Sequence, residues 1–289
     1  MTIRQEMLTA AKRSANLLGE STSLVVSFVT GQLTPAGGFR GRADQPDLYY
    51  TLFALESLIA LDARLPKDAV EPWMASFGGG SDLDLVHMAC LVRCGAALGL
   101  TGDAQAIVSR IEAYRSDDGA YAESPAQVTG TAYGCFLALG AYQDIGTALS
   151  DPDAMANALA NLQRPEGGFG NSTEIPGASA PATAAAMTTL RHLGQPTNQA
   201  ACTWLAEQIG PDGGMGAWGG APMADLLSTA VSLHALEHCG ANLDNVRQRC
   251  LDFCDSLWSS RGGFRGHEGD ETLDCEYTFY GLLALGNLA

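Results

Sequence analysis

The sequence predicts an all-α fold, an (α/α)6 toroid of about six helical hairpins closed into a ring. Three observations point to it: a glycine turn recurring along the chain, an apolar helix-type segment after each turn, and a more amphipathic segment before the next. The turns are Gly37-Gly38-Phe39, Gly78-Gly79-Gly80, Asp118-Gly119-Ala120-Tyr121, Gly167-Gly168-Phe169, Gly213-Gly214-Met215 and Gly262-Gly263-Phe264, 40 to 49 residues apart. A repeat of that period is the mark of stacked supersecondary units. No period-2 alternation lasts long enough to suggest a sheet.

The segments after the turns, such as 131–139 and 278–285, are apolar nearly all round, which suits helices buried on both sides. Several end in Leu-Gly phrases (Leu139-Gly140, Leu193-Gly194, Leu285-Gly286), and glycine just past an apolar run is a helix stop. The segments 102–115, 152–162, 195–209 and 242–259 are amphipathic. In the last, Val246, Cys250, Phe253 and Leu257 share a face, with Asp244, Arg247, Arg249 and Asp252 between them. Each repeat thus supplies one outer and one inner helix. An open solenoid would expose both layers, and the inner set is too apolar for that, so the ring closes. Residues 1–289 read as a single toroid domain, because each repeat needs both neighbours; residues 1–19 add one helix before the first hairpin.

Composition narrows the function. The 289 residues are 46% hydrophobic and 17% charged, with a formal net charge of −16. That excess of acid disfavours nucleic acid and anionic lipid as partners. There is no signal-type opening and no stretch near the roughly 20 apolar residues of a membrane helix. Eight scattered cysteines without a CxxC pair read as small, reduced core residues, and the reading is a cytoplasmic protein.

Candidate chemistry clusters at the turns. Asp47, Asp84, Asp225 and Asp274 stand where inner helices begin, and helix N-capping is one role for them. Arg40, Arg42, Arg265 and His267 lie in the first and last repeats, neighbours in a ring, with Tyr50 and Tyr277 at matching positions. They form a candidate anion patch; the alternative is pairing with Asp44, Glu268 and Asp270. Tyr49, Tyr50, Phe53, Tyr133, Phe136, Tyr277, Phe279 and Tyr280 gather on inner helices, as cavity lining or as plain core. His234 and His238, spaced i, i+4, can bind a metal, but no acid is aimed at them in the sequence, so packing is the reading there. Cys250 and Cys254 read as core.

The phrases Gly37-Gly38-Phe39-Arg40-Gly41-Arg42 with Asp47-Leu48-Tyr49-Tyr50-Thr51, and Gly262-Gly263-Phe264-Arg265-Gly266-His267 with Asp274-Cys275-Glu276-Tyr277-Thr278, resemble the repeats of protein prenyltransferase β subunits. Gln163-Arg164-Pro165-Glu166-Gly167-Gly168-Phe169 is similar to the glutamine-to-aromatic turn of the squalene and terpene cyclases. The resemblance spans essentially the whole chain. It implies an isoprenoid-handling toroid that takes a prenyl diphosphate or other apolar ligand in a central cavity, a prenyl transferase or a cyclase if catalytic. The family's β subunits also work with a helical α-type partner. The patch of Arg40, Arg42, Tyr50, Arg265, His267 and Tyr277 would hold the substrate, and Asp47, Asp274 and Glu276 would act as acid, base or metal ligand.

The family's zinc is held by an Asp, a Cys two residues on, and a His from the next repeat. Here the matching set is Asp47, Tyr49 and His87. The cysteine is missing, so zinc is poorly served; Asp274 with Glu276 would suit magnesium. The cyclase Asp-x-Asp-Asp motif is reduced to Asp82-Leu83-Asp84-Leu85. A non-catalytic toroid that binds lipid or protein is the alternative these losses leave open.

Overall fold

The computed structural model describes residues 1–289 apart from Thr101. Its helices are α1 (Ile3–Lys12), α2 (Ala15–Leu18), α3 (Thr22–Thr30), α4 (Leu48–Ala60), α5 (Lys67–Ala75), α6 (Leu85–Leu98), α7 (Ala104–Ile111), α8 (Ala132–Asp144), α9 (Pro152–Ala160), α10 (Ala180–His192), α11 (Gln199–Glu207), α12 (Leu226–His238), α13 (Arg247–Ser256) and α14 (Cys275–Leu288). The even-numbered helices from α4 to α14 are the inner set. Each packs on its neighbours in order, and α14 returns to α4. Ring closure is direct: Phe53 of α4 meets Phe279 and Tyr280 of α14 at centroid distances of 5.7 and 5.3 Å. The region before the first hairpin is two helices, α1 and α2, rather than the single one expected.

The paired glycines explain how the turns hold the rings of helices together. Gly262 has φ +93°, and a Cβ there would lie 2.2 Å from the Leu24 carbonyl oxygen of α3. Only glycine takes that conformation and that approach cheaply. At Gly263 a Cβ would lie 2.9 Å from the Phe28 ring. The sixth turn therefore rests on the outer helix of the first repeat, which closes the circle from outside. Gly37-Gly38 sits on α5 and its Trp73 in the same way, and Gly213-Gly214 on α13 and its Phe253. The second turn departs: Gly78 meets nothing, and the Gly79 carbonyl accepts from Arg110.

A buried threonine one turn into an inner helix pins four of the turns. The hydroxyls of Thr51, Thr183, Thr229 and Thr278 accept from the backbone N–H of Phe39, Phe169, Met215 and Phe264 at 2.8 to 3.4 Å. Each aromatic or Met side chain is then fully buried between inner and outer layers. Cys250 and Cys254 are buried, and all eight cysteines are free thiols.

One end of the ring is shut. Helix α1 lies across the C-terminal ends of the inner helices, packing on α14, α4 and α8. Gly286 permits the contact, since a Cβ there would stand 1.9 Å from the Ala10 carbonyl oxygen. The backbone N–H of Ile3 donates to Gln143 at 2.7 Å, and the Arg4 guanidinium donates to Glu56 at 2.6 Å.

Candidate functional site

The ring encloses a cavity of about 320 Å³. Its walls are Tyr49 and Phe53 of α4, Tyr133 and Phe136 of α8, and Tyr280 of α14; Met7 of α1 supplies part of the floor. Small residues of α10, among them Ala184 and Ala185, leave the space on the opposite wall. Arg93 and His234 are the basic side chains that reach it. A concave, mainly apolar space of this size with few polar groups is the form of a small-molecule site.

The N-terminal ends of the inner helices surround the other end. Asp47, Asp84, Asp225 and Asp274 each cap their helix, accepting from backbone N–H groups of the first turn. A short carboxylate there satisfies donors with no partner inside the helix and meets the positive end of its dipole. Asp47 accepts from Tyr49 and Tyr50, and Asp274 from Tyr277.

The first and last repeats do meet, as ring closure requires, but Arg40 and Arg42 are already paired. Arg42 donates from Nε to Asp274 at 2.8 Å and from Nη2 to Asp270 at 2.6 Å, with its guanidinium 5.4 Å from the centre of the Tyr277 ring. Arg40 pairs with Asp44 at 2.8 Å. Arg265 is half-buried, and His267 accepts from the Gly269 backbone. Tyr50 and Tyr277 do occupy matching places, their rings lying over Gly41 and Gly266.

The expected metal set is engaged elsewhere. The Tyr49 hydroxyl donates to Glu276 at 2.7 Å. The His87 ring pairs with Asp84 at 2.8 Å, so the capping carboxylate of its own helix holds it.

Glu276 stands apart from the other acids because it caps nothing. Its side chain is buried beside Tyr49, a cavity wall residue. Burial pushes its carboxyl up, the Tyr49 hydrogen bond offsets part of this, and the result is about 7. Burial also raises Asp274, against the opposing pull of the Tyr277 N–H and Arg42. A carboxyl that changes charge near neutrality beside a cavity is suited to proton transfer.

His234 and His238 have an acid after all: Glu6 of α1 lies against both, at 3.2 and 3.3 Å. The sequence hides this because 228 residues separate Glu6 from His234. Among the described residues these three are the His, Cys, Asp or Glu side chains grouped closely enough to hold a metal ion.

The fold and the cavity define an α/α toroid with an enclosed apolar chamber. The family model described as the prenyltransferase alpha-alpha toroid domain matches residues 6–80, 83–221 and 182–288, and the chain belongs to that family. No curated protein matches it in sequence. Among solved structures it is similar to Candida albicans protein geranylgeranyltransferase-I complexed with GGPP, with a TM-score of 0.71 and 12% identity over 91% of this chain and 90% of that one. It is also similar to the type II terpene cyclase MstE from Scytonema, whose apo structure gives a TM-score of 0.63 and 13% identity over 94% and 97%. A third likeness is a protein from Actinoplanes, with a TM-score of 0.60 and 16% identity over 93% and 98%. No helix in the described residues is long and apolar enough to cross a membrane.

Proposed function

We propose that the cavity binds an isoprenoid chain and that the protein isomerises it by protonation, in the manner of a terpenoid cyclase, with Glu276 as the acid. The observation that carries this reading is the Glu276–Tyr49 pair: a buried carboxyl held near pH 7 on a phenol that lines an apolar, aromatic-walled chamber. Neutral Glu276 gives its proton to the Tyr49 oxygen as the Tyr49 proton passes to a terminal alkene carbon, so the carboxyl is the acid consumed, it is left as a carboxylate, and no phenolate forms. The carbocation is then stabilised by the faces of Phe53, Tyr133, Phe136 and Tyr280. Loss of a proton from a neighbouring carbon to water ends the reaction and Glu276 regains its proton from solvent, so atoms and charge balance.

Two features favour this over departure of a diphosphate. Arg42 is committed to Asp270 and Asp274, and the matching zinc set lacks its thiolate. A polar head at the mouth meets the hydroxyls of Tyr50 and Tyr277. A structural neighbour, a variant of the type II terpene cyclase from Scytonema, is in complex with its substrate geranylgeranyl dihydroxybenzoate, and a chain of that kind fits this reading.

The test is calorimetric titration with farnesyl and geranylgeranyl chains, as alcohols and as diphosphates, beside product analysis by mass spectrometry. Ala185→Trp fills the cavity from a partly exposed lining position. Binding by the wild-type protein and its loss in this variant support the reading. No binding of any chain, or equal binding by the filled variant, would sink it.

A further inference from the structure

We propose that Glu6, His234 and His238 form a divalent-metal site of the zinc class at the closed end of the ring, opposite the mouth. The three donor atoms lie within 4.8 Å of one another. Nε2 of His234 and Nε2 of His238 stand 3.2 and 3.3 Å from the same oxygen, Glu6 Oε1. Zinc bonds of about 2.0–2.1 Å in a tetrahedron put neighbouring donors about 3.3 Å apart, so both histidine-to-glutamate spacings already match.

The hydrogen-bond chain behind His234 supplies the second, independent observation. Asn287 Nδ2 donates to the Leu283 carbonyl at 2.7 Å, which fixes which way the amide faces. Its Oδ1 therefore points at His234 Nδ1, 3.2 Å away, and that nitrogen must carry the ring proton. In the neutral ring Nε2 is then a bare lone pair aimed at a carboxylate oxygen. Two lone pairs at that separation repel unless a proton or a metal ion lies between them, and one metal ion serves His234 and His238 at once. A carbonyl oxygen behind Nδ1–H is also the arrangement that orients a metal-binding imidazole.

Arg191 holds Glu6 in a two-point ion pair, and His192 faces Oε2 at 3.3 Å. A carboxylate offers about four lone-pair positions, and Arg191 takes one on each oxygen. The position left on Oε1 is the one the His234–His238 pair faces. The arginine's charge makes the site weaker than a structural zinc cage, while the last turns of α10 and α12, which carry His192 and His238, bring the negative ends of two helix dipoles. His234 also lines the central cavity and His238 an adjoining crevice, so a fourth position is accessible. Bound metal would fasten α1 to α12.

The experiment uses the full chain without an affinity tag, stripped with chelator and then dialysed against zinc for elemental analysis. A cobalt-loaded sample reports ligand geometry by its visible spectrum. Stoichiometric zinc, tetrahedral cobalt bands and a higher melting temperature with metal are expected. His238→Gln, at a partly exposed position that tolerates change, weakens binding at least tenfold, and His87→Ala at the mouth leaves it unchanged. Absence of binding, or binding that survives His238→Gln, overturns the proposal. So does a cobalt signal lost in His87→Ala, because the ion then sits at the mouth.

Discussion

Replacing Glu276 with glutamine separates the cost of its charge from everything else it does. Glutamine keeps the shape and an oxygen to accept from Tyr49, and it has no proton to lose. In the wild-type fold, burial raises the carboxyl from 4.5 to about 7. A raised carboxyl stabilises the fold in its protonated form. Its contribution is complete below about pH 4.5, falls between 4.5 and 7, and is gone above. At about 1.4 kcal/mol per pH unit the loss is about 3 kcal/mol. A chain of this length has an unfolding entropy of about 0.6 kcal/mol/K, so that loss is a fall of about 5 °C in melting temperature. The assay is thermal unfolding of both proteins at intervals from about pH 4 to pH 8. Taking the difference between them cancels the other buried carboxyls. Glu276→Gln should gain about 5 °C on the wild type across that range, and it should lose product formation at every pH. Two melting curves that run parallel within about 1 °C would show that the carboxyl is not held in its neutral form, and the acid assigned to it would have no physical basis.

Three further outcomes follow from the packing. Gly286→Ala drives a methyl into the Ala10 carbonyl; it should cost about 2–3 kcal/mol and make α1 the first segment cut by protease. Arg42→Ala leaves Asp274, only 4% exposed, without its cation; because Arg42 is itself 41% exposed, the expected loss is about 1–2 kcal/mol, read by urea unfolding. Thr229→Val keeps the shape but strands the buried Met215 N–H; about 2 kcal/mol should be lost, with no change in ligand affinity.

The ring was legible in the sequence because its causes are local and repeated. Gly-Gly pairs, capping aspartates and apolar inner segments each declare themselves within a few residues, and the same phrase occurs several times. The capping role of Asp47, Asp84, Asp225 and Asp274 was open to the same reading. The state of the charges was less accessible. Arg42 and Asp274 are far apart in the chain, and only ring closure shows that they neutralise each other. Glu276 looked like one of several acids until the structure showed that the others cap helices and it alone leans on a cavity tyrosine. The Glu6 cluster was invisible for a related reason: nothing in Ile3–Lys12 announces that the helix crosses the ring to meet α10 and α12.

That crossing has a bearing on how the chain is made. Helix α1 leaves the ribosome well before the groups that receive it, Glu237 for Arg13, His234 for Glu6 and Gly286 for Ala10. The threonine pins tie each turn to its own inner helix, so hairpins can form one at a time as the chain emerges. Until α10, α12 and α14 are made, Glu6 lacks its cationic and histidine partners and the apolar face of α1 can meet only α4 and α8. Its full set of contacts requires α14 beside α4, and in place it closes that end of the chamber. The N-terminal helix thus records that the circle has been completed, and a chain cut short before α14 would carry it undocked, as an exposed apolar segment open to proteolysis.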